Sequence, residues 1–81
     1  MISKAELNNL IGDYQSAYQM ALQVANIVKS NEKTALEILG RWGPTGATRL
    51  VTDTSDAAVH LWNAIQQLLE KRDDPKLYPP T

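Results

Sequence analysis

The seven residues Gly40-Arg41-Trp42-Gly43-Pro44-Thr45-Gly46 decide how this chain folds. They hold three of its four glycines and the first of its four prolines. Pro44 has no N–H to donate and its ring clashes with the preceding turn, so a helix does not run through it. Gly43, directly before that proline, is pushed out of the α region. Apolar residues recur at helical spacing on both sides, which makes the stretch a corner between two helical halves.

Upstream of the corner, Ala35, Ile38, Leu39 and Trp42 form the i, i+3, i+4, i+7 set of a short helix. Asn31 is a candidate cap for it, with Glu32 in its first turn. Further back, Ser3-Lys4-Ala5-Glu6 reads as a capping box that opens a long helix. Leu7, Tyr14, Ala21 and Val28 fall on one line of that helix. Leu10, Ala17 and Val24 fall on the next, with Ile11, Tyr18 and Ala25 beside them. This stripe is wide enough to face a core. Gly12, followed by Asp13, marks a candidate kink. Met20, Leu22 and Ile27 lie off the stripe, so a second side of the helix is buried or is covered by a partner.

Downstream, Thr45 is a candidate N-cap, and Ala47, Leu50 and Val51 make a short apolar turn. Thr52-Asp53-Thr54-Ser55-Asp56 competes for backbone hydrogen bonds and predicts a break, with Asp53, Thr54 or Ser55 capping the last helix. Ala57, Ala58, Leu61, Ala64, Ile65 and Leu68 share a face of that helix. It ends at Lys71-Arg72, whose charge suits a helix C-terminus, and Asp73-Asp74-Pro75 stops it. The expected fold is all-α: an antiparallel helical hairpin or small helix bundle with short corner helices. Residues 1–74 form one helical domain, and residues 75–81 are expected as an extended C-terminal tail.

In a chain of 81 residues, apolar burial is nearly cancelled by about 1.5 kcal/mol of ordering entropy per residue. Small domains compensate with disulfides, metals or association. There is no cysteine and one histidine, which leaves association, so a homo-oligomer is expected. Alanines line the inner face of both long helices (Ala17, Ala21 and Ala25; Ala57, Ala58 and Ala64). They allow close approach either within the hairpin or across a dimer seam.

A net charge of −1 argues against a general nucleic-acid binder, which needs a basic face. The longest apolar-rich run, Met20 to Val28, is interrupted by Gln23 and Asn26 and is far short of the ~20 residues of a membrane span. Met1-Ile2-Ser3-Lys4 leads into a polar helix without a signal-peptide core. A cytoplasmic location with no membrane contact is expected.

Catalysis and metal binding need several convergent groups. His60 has no partner at ligand spacing, and Asp53, Asp56 and Glu70 read as capping or exposed residues. The expectation is a protein that is not an enzyme, with no catalytic residues, no metal and no cofactor. Two other constellations remain. At the corner, the Walker spacing is not met, yet a helix starting at Gly46 presents N–H groups to an anion. Arg41, Thr45, Thr48 and Arg49 add donors and charge, and Trp42 can stack on a base. The competing reading of the same stretch is a plain corner with Trp42 in the core. The second constellation is Trp62, which sits off the Ala58–Leu61–Ile65 stripe. With Met20, Leu22 and Ile27 it forms a candidate protein interface, because Trp, Tyr and Arg dominate binding hot spots. The competing reading places Trp62 under the short helix. A helix-turn-helix with its second helix from Ala47 is a third reading, but Gly46 and Arg49 fall where that motif buries apolar residues.

Arg41-Trp42, Thr52-Asp53, Leu61 and Ala64-Ile65 together resemble the helical-hairpin domain of phage anti-CBASS and anti-Thoeris nucleotide sponges. The resemblance covers residues 41–65, and the family's glutamine and glycine are replaced here by Thr54-Ser55-Asp56-Ala57. It implies an oligomer that sequesters an anionic cyclic nucleotide. Two main function classes result. One is a protein-interaction module, an inhibitor or adaptor of the kind mobile elements carry. The other is an oligomeric nucleotide sponge.

Overall fold

The computed structural model describes residues 2–40 and 46–80. Three helices account for the regular structure of those residues: α1 (Lys4–Ser30), α2 (Glu32–Leu39) and α3 (Ala47–Arg72). The all-α hairpin expected from the sequence is what the structure shows. α1 and α3 lie against each other in opposite directions, and Arg72 at the end of α3 reaches Asn8 in the first turns of α1, Nη1 to Oδ1 3.4 Å. The result is a rod of 59 × 18 × 15 Å.

α1 opens with Ser3 as its N-cap, one half of the capping box its sequence predicts. The Glu6 backbone N–H donates to Ser3 Oγ at 3.1 Å. The helix then passes through Gly12 and Asp13 without a break. Leu7 and Ile11 before the glycine are buried, and Tyr18 after it packs on Trp62 of α3, so the helix is held on both sides of Gly12. At the far end the Asn31 side chain donates to the Ile27 carbonyl at 2.8 Å. Asn31 therefore closes α1 and makes no side-chain cap for α2, contrary to its expected role.

α2 is turned away from the orientation its apolar set predicts. Ala35 and Leu36 are half-buried, whereas Ile38 is 80% exposed and Leu39 43%. The chain leaves α2 through Gly40, at φ 76° and ψ 173°, a region essentially reserved for glycine. The Ala47 N–H donates to the Gly40 carbonyl at 3.0 Å, which ties the end of α2 to the start of α3. Arg41, Trp42, Gly43, Pro44 and Thr45 lie outside the described residues.

The predicted break at Thr52–Asp56 does not occur, and α3 is continuous from Ala47 to Arg72. The polar side chains that compete with a helix are satisfied within it. Thr52 Oγ1 donates to the Thr48 carbonyl at 3.0 Å, and Thr54 Oγ1 to the Leu50 carbonyl at 2.9 Å. Asp53 pairs with Arg49 one turn back at 3.0 Å. None of the three residues proposed as caps is one, and the N-cap of α3 is Gly46.

The residues after Asp73 turn instead of extending. The Lys76 N–H donates to Asp74 Oδ1 at 2.9 Å, and the Tyr78 N–H to the Asp74 carbonyl at 3.0 Å. This brings the Tyr78 hydroxyl to the Ile2 carbonyl, 3.0 Å away. The tail thus latches onto the start of α1. The core is thin. Leu7, Ile11, Ala47, Ala58 and Ile65 are the buried hydrophobic residues among those described. The buried Ala58, with no bulk to hold the axes apart, sits at the middle of the α1–α3 contact. No described helix is long and apolar enough to cross a membrane.

Candidate functional site

Tyr18 lies on the core stripe of α1, seven residues after the buried Ile11. Trp62 follows the buried Ala58 by one turn of α3. Helical spacing therefore sets both rings at the edge of the helix contact, on the same side of the hairpin. Their centroids are 5.6 Å apart with the planes inclined at 46°, within the range in which aromatic pairs attract. Trp62 is nevertheless 49% exposed.

The ring pair divides this side of the hairpin into two open clefts. Toward the chain ends, Gly12, Gln15, Ser16 and Gln19 of α1 face Ile65, Gln66 and Leu69 of α3 across about 530 Å³. Toward the corner, Leu22, Ala25 and Asn26 face Ser55, Ala58 and Val59 across about 420 Å³. Among the described residues, no charged side chain lines either cleft. Apolar floors with an amide and hydroxyl rim are what protein and peptide ligands meet at binding surfaces.

The four residues proposed as one interface do not share a surface. Leu22 and Trp62 line the same cleft. Met20, 65% exposed, and Ile27, 62% exposed, point away from it. Trp62 packs on Tyr18 of α1, not under the short helix. The sequence reading missed Gln15, Gln19, Asn26, Gln66 and Val59. Each looks like an ordinary outer-face residue on its own helix, and only the pairing of α1 with α3 brings them to a common rim.

Of the proposed anion site, Gly46, Thr48 and Arg49 are described. Gly46 is buried and Thr48 half-buried. The Ala47 N–H is engaged by Gly40, and the Arg49 N–H donates to the Gly46 carbonyl at 3.0 Å. The Arg49 guanidinium is held by Asp53 through Nε at 3.0 Å. Arg41, Trp42 and Thr45 lie outside the described residues. His60 is exposed, and no cluster of metal-binding side chains occurs among the described residues. No protein family, curated protein or solved structure matches the chain.

Proposed function

We propose that this protein is a non-enzymatic interaction module that binds a protein partner through the Tyr18–Trp62 side of the hairpin. One observation carries the reading: a large aromatic ring, backed by a second ring and left half-exposed, stands between two uncharged, apolar-floored clefts. A Trp held rigid by a neighbour loses little side-chain entropy on binding and anchors interfaces for that reason. The fitting ligand is an amphipathic segment with apolar side chains about one helical turn apart, one for each side of the Trp62 ring. The absence of charge from the clefts favours a neutral contact face. In this role the chain acts by covering a partner's surface, as an inhibitor or an adaptor.

The test is affinity capture of a stoichiometric partner, compared across variants that keep the helical circular-dichroism signal. Trp62→Ala and Leu22→Ser abolish capture, and His60→Ala, on the exposed side, retains it. Capture that survives both cleft substitutions overturns the proposal. A cyclic nucleotide that stabilises the chain, with the effect lost in Arg41→Ala and Arg49→Ala, replaces it with the sponge reading.

A further inference from the structure

The side of the hairpin opposite the clefts is also apolar. At 100° per residue, Leu10, Ala17 and Val24 of α1 and Leu61, Ala64 and Leu68 of α3 project to that side. Leu10 is 36% exposed and Val24 50%, while Leu61, Ala64 and Leu68 are half-buried. The seven-residue steps from Leu10 to Ala17 to Val24, and from Leu61 to Leu68, are the spacing by which helices of a bundle meet further helices. The outlying Met20 and Ile27 border this face.

We infer that a second copy of this chain covers this face, so that two hairpins form a four-helix bundle with the Tyr18–Trp62 clefts on its outer sides. The accessible area argues for it. The chain exposes 6094 Å², whereas a globular monomer of 9.0 kDa exposes about 4,850 Å². The excess, roughly 1,200 Å², belongs to the rod as a whole, and it is larger than the ~800 Å² each partner contributes to a standard stable interface. The radius of gyration agrees: 17.8 Å against about 12 Å for a compact domain of this length. A two-fold seam also suits the face, since Ala17 lies at the middle of α1, between the bulkier Leu10 and Val24, and its small side chain allows close approach. With a net charge of −1, two copies repel each other little.

Sedimentation equilibrium at micromolar concentration tests this. The expected mass is twice 9.0 kDa, with a melting temperature that rises with protein concentration. Val24→Glu sets an unpaired charge in the seam and weakens the dimer by at least ~100-fold, while Gln19→Glu, in a cleft, leaves it intact. Val24 is half-exposed in the single hairpin, so an isolated hairpin tolerates the substitution. A Val24→Glu chain that unfolds, alongside a concentration-dependent wild-type melt, supports the seam as part of the folded state. Three results overturn the inference: a wild-type monomer with a concentration-independent melt, a dimer indifferent to Val24→Glu, or a dimer dissociated by Gln19→Glu. A monomer that loses a different protein partner on Val24→Glu also overturns it, by giving the face another occupant. This outcome is independent of whether Trp62 binds a partner on the other side.

Discussion

Tyr18 and Trp62, from the two long helices of the hairpin, meet ring to ring at 5.6 Å with neither fully buried. The pair has two separable effects. Within the chain, a double-mutant cycle of Tyr18→Ala and Trp62→Ala is expected to give a coupling of about 0.5–1.5 kcal/mol in urea unfolding. Toward a partner, Trp62→Ala is expected to cost ~2 kcal/mol or more in affinity. Zero coupling in the cycle would mean that the two rings do not support each other in solution.

Gly12 and Gly40 call for opposite outcomes. A Cβ on Gly12 meets no atom within 4 Å, and the residue sits inside a continuous helix. Gly12→Ala is expected to raise stability by about 0.5–1 kcal/mol. Gly40 has equally open surroundings but holds φ at 76°. Gly40→Ala is expected to lower stability by about 1–3 kcal/mol from backbone strain alone. Thermal melts of the two variants moving in the same direction would contradict this assignment.

The Tyr78 hydroxyl is a third target. Tyr78→Phe removes its hydrogen bond to the Ile2 carbonyl and leaves the ring in place. The expected loss is about 0.5–1 kcal/mol, at the low end for a hydrogen bond because the site is exposed. Amide exchange should quicken in the first turn of α1 and stay unchanged near Ala58. Uniform acceleration along both helices would show that the tail contributes to global stability and not to that end alone.

A nucleotide screen addresses the corner. A ligand at one hundred times its dissociation constant adds ~2.7 kcal/mol, a shift of more than ~10 °C in a domain of this size. With the Ala47 amide engaged by Gly40, no shift with linear or cyclic nucleotides is the outcome expected of the interaction-module reading. A shift that disappears in Arg49→Ala would reverse this.

The helical halves and their inner stripe were legible from spacing alone, since Leu7, Ile11, Tyr14 and Tyr18 repeat at the period of a helix, and Leu7 and Ile11 are buried as expected. The continuity of α3 was not. Thr52 and Thr54 favour breaks when exposed, and only the finished helix provides the carbonyls of Thr48 and Leu50 that satisfy their hydroxyls. The rotation of α2 was also hidden, because Ala35, Ile38 and Leu39 read as one core face, yet Ile38 and Leu39 are exposed. The binding side was half legible. Trp62 stood out as off-stripe, but Leu22 and Met20, only two positions apart, looked equivalent until α3 was laid along one flank of α1.

The hairpin layout also orders assembly in time. The Ala47–Gly40 hydrogen bond joins residues seven apart in the chain, whereas the Arg72–Asn8 and Tyr78–Ile2 contacts close chain separations of 64 and 76 residues. Loop-closure entropy grows with separation, so pairing that starts at the corner lets each later turn dock beside one already in place. The rod closes like a zipper and frays from the opposite end. The Tyr78 latch is therefore expected to form last and open first.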